Sequence, residues 1–307
     1  MNIKPLKISI LLLSFVFTAT VKQGLAQQKR INIQIHTPAS PLSFAADEIQ
    51  KAARERNYTV TLSSASTNQT NEDVVVRIFS DSATSVQIAN TQHLKEANNL
   101  GWQCYAIRVV NNPKQKIIYI LAGDKTGALY GGLDIAEAIR LRTINTLTDS
   151  DNKPYLDRRG IKFNIPLDLR TPSYTDPSDA AQQNIPNVWE KSFWATYLDE
   201  MAKHRYNVLT LWSLHPFPSM VKIPEFPDVA LNDVWRTKEK FDDSYSHTGV
   251  HFVRPHLLKN VEVVKKMTID EKIAFWREVM QMAKDRGIEV YIFTWNIFTY
   301  GAEGKHG

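Results

Sequence analysis

Beyond residue 158, three short apolar runs alternate with helix-patterned stretches, and this alternation constrains the fold more than any other feature of the sequence. Arg159–Ile165 (RGIKFNI), Asn207–Trp212 (NVLTLW) and Ile288–Thr294 (IEVYIFT) read as strands. Between the first two, Trp189–His204 turns Phe193, Tyr197, Leu198 and Met201 to one helical face. A long loop and then a helix over Ile269–Arg286, stopped by Gly287, separate the last two. Nearly continuous apolar strands joined through helices pair in parallel, with both faces of their sheet covered.

A (β/α)₈ barrel needs eight such strands and about 250 residues. Arg158 to Gly307 is only 150 residues and holds three, so an edge and part of a core would stay uncovered. The expected fold class is therefore α/β, a small N-terminal α/β domain followed by the first three β strands of an incomplete TIM (β/α)₈ barrel. The sequence is expected to be an N-terminal fragment.

The smaller domain is read over residues 27–141. Residues 31–37 (INIQIHT) alternate as a half-buried strand does, and Ser43 is placed as the cap of a helix that buries Phe44, Ala45, Ile49 and Ala52–Ala53. Tyr58–Leu62, Val74–Phe79, Cys104–Val110 and Lys116–Leu121 read as strands, the last two joined through Asn111-Asn112-Pro113. Gly123–Gly132 (GDKTGALYGG) opens a second helix running to about Leu141. Its spacing fits neither glycine-rich phosphate motif, and small residues that let a helix approach a sheet account for it. Residues 142–157 are polar and turn-rich and are read as a linker to residues 158–307.

The first 26 residues combine Lys4 and Lys7, an apolar run Ile8–Val21 and the small-residue exit Gly24-Leu25-Ala26. These are the parts of a secretory signal peptide, cleaved after Ala26, which places the mature protein in the periplasm or outside the cell. The apolar run is short for about 30 Å of hydrocarbon, so no stable membrane insertion is expected after cleavage. Removing Lys4, Lys7 and Lys22 lowers the formal charge from +5 to +2, which leaves no electrostatic case for nucleic acid. The single cysteine, Cys104, can form neither an intrachain disulfide nor a cysteine metal site and reads as a buried small hydrophobe.

In parallel α/β folds, active sites form at the C-terminal ends of the strands. Asn164, Asp168 and Arg170 follow the first strand; Trp212, Ser213 and His215 follow the second; Trp295, Asn296, Tyr300 and Glu303 follow the third. The loop after the second strand adds Trp235, His247, His251, Arg254 and His256. Rings that stack on the C–H faces of a sugar and polar groups that bond its hydroxyls give this set the chemistry of an oligosaccharide or polysaccharide site. Asn164, Trp212, His215, Trp295 and Asn296 are the candidates for substrate contact. Two readings stay open for Trp212 and Trp295, sugar stacking or closure of the barrel core. Arg158 and Arg159 either reach an anionic sugar group or pair with an acid. The loop histidines lack the helical spacing and carboxylate support of a metal site, so neither metal nor cofactor is expected. Glycoside hydrolysis needs two carboxyl groups. Asp168 and Glu303 are the acids nearest the strand ends, but each sits several residues past its strand, and the catalytic residues are left unassigned.

The stretch Tyr105–Leu141, with Gly127-Ala128-Leu129-Tyr130-Gly131, resembles the end of the domain that precedes the barrel in family 20 β-hexosaminidases and family 67 α-glucuronidases. Asp157-Arg158-Arg159-Gly160-Ile161 resembles the first barrel strand of the hexosaminidases, and Tyr197–Trp212 their first helix and second strand. The resemblance implies that Arg159 binds the terminal sugar. It also implies that the catalytic carboxylates follow later barrel strands, beyond Gly307. Leu211–Pro216 departs from the histidine-rich end of the family's second strand, as does the long insertion to Lys266. The function expected is that of an exported bacterial glycoside hydrolase, exo-acting through two carboxylates. The alternative is a non-catalytic carbohydrate-binding or surface assembly protein on the same fold.

Overall fold

The β-branched run Val74–Phe79 forms strand β3 inside a six-stranded sheet in the computed structural model, which describes residues 29–64, 72–97, 100–171, 179–213, 215–240 and 255–294. Strands β1 (Arg30–Ile35), β2 (Thr59–Ser64), β3 and β5 (Gln115–Ala122) run parallel in the order β2-β1-β3-β5. Strand β4 (Tyr105–Asn112) returns antiparallel beside β5 across the Pro113–Lys114 turn. The expected signal peptide, residues 1–26, lies outside the described residues.

The alternation in β1 predicts one solvated face, and here the structure differs. Asn32 and Gln34 are buried on the side away from Ile31 and Ile33. A polar ladder makes that burial tolerable. The Asn32 amide donates to Thr61 Oγ1 at 2.8 Å, and Gln34 Oε1 accepts from Arg77 Nε at 2.9 Å. Arg77 in turn reaches the Tyr119 hydroxyl at 3.1 Å. A buried polar group costs little when it is fully hydrogen-bonded, so alternation here marks two covered faces.

Helices α1 (Ser40–Glu55) and α3 (Lys125–Arg140) pack side by side on one face, and α2 (Ser82–Thr91) covers part of the other. Helix α1 starts at Ser40, with Ala39 as its cap, rather than at Ser43. Pro41 is the reason: its fixed φ suits the first turn, where its missing N–H costs nothing. In α3, a Cβ on Gly131 would collide with Ile120 of β5, and one on Gly132 would lie 2.7 Å from Ala45 of α1. The glycines therefore set how closely this helix approaches its neighbours. Asp124 caps α3, accepting from Gly127 N at 2.7 Å and from Gln103 N at 2.9 Å. A Cβ at Gly127 would strike the Cys104 carbonyl, so this turn is closed against protein rather than open to phosphate.

Residues 142–157 contain strand β6 (Ser150–Asn152), which extends the sheet beyond β4. The buried Arg108 guanidinium fixes it there through the Ser150 carbonyl at 2.9 Å and Asp151 at 2.5 Å.

A second sheet then forms from β7 (Gly160–Asn164), β8 (Val208–Trp212) and β11 (Glu289–Phe293). All three strands are parallel, with β8 central. Helices α5 (Lys191–Lys203) and α7 (Ile269–Lys284) are amphipathic, and the latter opens with a Thr268–Glu271 capping box. Gly287, at φ +69°, ends the α7 turn in a conformation that side chains avoid. Helix α4 (Asp179–Val188), with Pro186 in its interior, is not among the elements expected from the sequence. Between β8 and α7, the stretch expected to be a loop holds a short helix, α6 (Phe217–Met220), and an antiparallel pair, β9 (Val234–Thr237) with β10 (Val261–Lys265).

Trp189, Trp194, Phe275 and Trp276 pack around one another in tilted and edge-on pairs, so three of the tryptophans are core. The apolar core runs unbroken from the helices of the first sheet to those of the second. Glu48 of α1, buried, ties the two through Arg140 at 2.9 Å and Lys203 at 4.0 Å. No helix among the described residues is long and apolar enough to cross a membrane.

Candidate functional site

The register of the second sheet sorts its side chains into rows. Gly160, Val208 and Glu289 are paired, then Lys162, Thr210 and Tyr291, and at the C-terminal end Asn164, Trp212 and Phe293. Because side chains alternate between faces, these nine residues share one face. Ile161, Phe163, Leu209, Leu211 and Val290 occupy the other and pack into the core, while Ile292 of the outer strand β11, on that same face, stays 41% exposed. The first face is open: Tyr291 and Phe293 keep 40% and 39% of their surface exposed, and Lys162 is exposed as well.

At the C-terminal row the Trp212 and Phe293 rings stack, with centroids 4.8 Å apart and planes 6° from parallel. Lys162 Nζ lies 4.3 Å from the Trp212 centroid. Since β7 and β11 flank β8 on opposite sides, the ammonium and the phenyl ring cover opposite faces of the indole. Its N–H donates to Thr210 Oγ1 at 3.2 Å. Trp212 is thus held as the middle of a sandwich, and a sugar could stack on it only by displacing a neighbour. Phe293 keeps an exposed ring in the same row.

Ser213 follows directly, with its N–H bonded to the Phe293 carbonyl at 3.1 Å. Its hydroxyl is buried with no hydrogen-bond partner among the described residues, at the end of the central strand. His215 is half-buried two residues further on, so Asn164, Trp212 and His215 all lie at this end of the sheet. Trp295 and Asn296, with Tyr300, Glu303, His247, His251 and Arg254, lie outside the described residues, as does the side chain of His256.

Arg159 is not brought to this group. It precedes β7, about 16 Å of extended strand from Asn164. Its Nε donates to the Arg205 carbonyl at 2.8 Å, and its terminal nitrogens reach Gln103 Oε1 at 2.7 Å, the Tyr130 hydroxyl at 3.1 Å and the Leu156 carbonyl. A residue before a parallel strand sits at the N-terminal edge of the sheet, and Arg159 there lies against the first domain. Of the two readings for Arg158, the structure takes the acid, with a contact of 2.5 Å to Glu289 and one of 2.7 Å to the Tyr291 hydroxyl.

Asp168, the described acid nearest the strand ends, is buried and saturated. It accepts Arg170 N at 2.9 Å, Arg170 Nε at 2.7 Å, a second guanidinium nitrogen at 2.9 Å and Trp235 N at 3.0 Å. The Arg170 guanidinium also lies 4.2 Å from the Trp235 ring centroid. A carboxylate with four donors cannot pass a proton to substrate without dismantling this knot, so its place is structural. Beneath it lies Lys272, fully buried, donating to the Asp233 carbonyl at 2.5 Å. Burial pushes its ammonium down to about 8; Asp168 and Asp233 oppose that shift, and Arg170 adds to it. No sequence expectation includes Lys272. Its spacing of three from Ile269 and from Phe275 is the signal that puts it on the apolar stripe of α7. Among the described residues, no group of three His, Cys, Asp or Glu is placed to hold a metal.

Residues 17–134 match the family model described as the glycosyl hydrolase family 67 N-terminus. No curated protein matches the sequence. The fold is shared with a solved structure described as a GH138 enzyme targeting pectin rhamnogalacturonan II, at a TM-score of 0.54 and 19% identity over 88% of this chain. The chain spans 25% of that enzyme's length. CpGH84D superposes at a TM-score of 0.42 with 8% identity, over 86% of this chain and 34% of that one, a likeness too slight to say more. Residues 17–134 of this chain are thus similar to the N-terminus of family 67 glycosyl hydrolases.

Proposed function

We propose that the chain is the leading part of an exported, exo-acting glycoside hydrolase, with β7, β8 and β11 as consecutive strands of a (β/α)₈ barrel. The observation that carries this reading is the joining of a family 67-type N-terminal domain to a parallel β–α–β–α–β sheet. That sheet is covered by helices along β7 and β8 on one side and open on the other, as a barrel segment would be. Its two outer strands pair with no further strand among the described residues, which supports more strands completing the wall.

The sugar then meets the C-terminal row. Asn164, His215 and Asn296 supply hydrogen bonds, Phe293 and Trp295 supply rings, and Trp212 fixes the position of Phe293. The two carboxylates of the hydrolytic mechanism belong to later strands beyond residue 307, consistent with the structural use of Asp168. Residues 1–26 direct export and are removed after Ala26.

The test is to assay the complete gene product and the 307-residue chain side by side on aryl glycosides and pectin-derived oligosaccharides. Turnover by the former and none by the latter is the expected result. Robust hydrolysis by the 307-residue chain would refute the placement of the acids. Binding of polysaccharide by the complete product without turnover would assign the non-catalytic alternative. In the complete protein, Trp295→Ala is expected to weaken substrate binding by about 1–3 kcal/mol.

A further inference from the structure

A cavity of about 210 Å³ opens at the junction of the two sheets, at the end of β7 and β8 opposite the proposed sugar cleft. Its walls include Gln103, Tyr105, Tyr130, Lys153, Arg159 and Arg205. The charge there is unbalanced. Among the described residues Arg159, half-buried, bonds only neutral acceptors, namely Gln103, Tyr130 and main-chain carbonyls. Arg205 has one carboxylate among the described residues, Asp134 at 2.5 Å, which also accepts the Tyr105 hydroxyl. Lys153 is exposed and has no partner among the described residues. Asp124 lies close enough to act on Tyr130, but its oxygens already accept from Gln103 and Gly127. Three cations thus face two carboxylates that are already engaged.

Tyr130 supplies the second observation. Its ring lies 5.6 Å from both guanidinium carbons, and its side chain is only 3% exposed. The hydroxyl accepts from Arg159 at 3.1 Å, yet its own proton is donated to no described residue. A buried donor without an acceptor, beside an unpaired ammonium and excess positive charge, is the complement of an anion.

We propose that this cavity binds a small oxyanion, accepting from the Tyr130 hydroxyl and Lys153 within the field of Arg159 and Arg205. Because Tyr130 belongs to α3, Lys153 follows β6, and Arg159 and Arg205 precede strands of the second sheet, the bound anion would clamp the two sheets together. The chemistry is common to inorganic sulfate or phosphate and to the carboxylate of a monosaccharide acid. The site is distinct from the proposed sugar cleft and does not depend on the glycosidase reading.

The 307-residue chain would be titrated with sodium sulfate, sodium phosphate and sodium galacturonate, each against sodium chloride at equal ionic strength, by calorimetry and by thermal unfolding. Saturable binding that raises the melting temperature is expected with at least one of them. Affinity should fall about tenfold in Tyr130→Phe, which keeps the ring, and in Lys153→Ala, which removes a side chain bonded to no described residue. Saturation by the inorganic ions alone would assign a free ion as ligand. Saturation by galacturonate alone would assign a sugar acid. Either supports the site. Responses no different from chloride, or full affinity in both folded variants, would overturn it.

Discussion

Lys272 and Asp168 are both buried, the first donating to the Asp233 carbonyl and the second held by Arg170, two residues on, and by the distant Trp235 N. Burial depresses the Lys272 ammonium to about 8 from an ordinary 10.5. The unfolded chain therefore binds more protons than the folded one between those values. Stability should rise as pH climbs from about 8 to 10.5, and this contribution is lost as pH falls through 8. Lys272→Met is expected to flatten that part of the profile, which urea unfolding at a series of pH values would measure against the parent. Asp168→Ala removes the one carboxylate among the described residues that answers Arg170, while leaving Trp235 N without its acceptor. It is expected to lower stability by about 3 kcal/mol, with no change in secondary structure. At this scale the sequence was legible in type but not in place. Asn164, Trp212 and His215 fall where strand ends put them, since a strand's end is a local property. Arg159 has its partners in Gln103, Tyr130 and Arg205, and no local pattern names those.

The elements were the most readable level. Val74–Phe79 and the start of α7 at Ile269 coincide with the runs read from sequence, because hydrophobic period and capping are encoded within a dozen residues. What escaped were elements whose cause is tertiary. Strand β6 exists because Arg108 holds it, α4 persists around Pro186, and the β9–β10 pair closes over Leu169 and Leu257. The glycine pair of α3 shows how one element's composition answers another's surface. Gly131→Ala would gain about 1 kcal/mol in helix propensity, but it drives a methyl into Ile120. A net loss of about 1–3 kcal/mol is expected from overpacking, seen as a lower urea midpoint. Unchanged stability would mean that β5 and α3 separate easily.

Across the whole molecule the two sheets share one apolar core, crossed by the buried Glu48 with its Arg140 and Lys203 partners. They are expected to unfold together, so far-UV circular dichroism and tryptophan fluorescence should trace a single coincident transition. Two separated transitions would show that the junction adds little. The sequence by itself determined the parallel pairing of the strands past residue 158, the small α/β domain before them and the mix of aromatic and polar residues at the strand ends. All three follow from periodicity and residue type, which are carried along the chain. Only the tertiary structure decided which of those residues meet. It sandwiched Trp212 between Lys162 and Phe293, closed Asp168 into a structural knot and moved Arg159 to the junction cavity. Contacts between residues tens of positions apart depend on register and packing, and these are fixed only when the whole chain has folded.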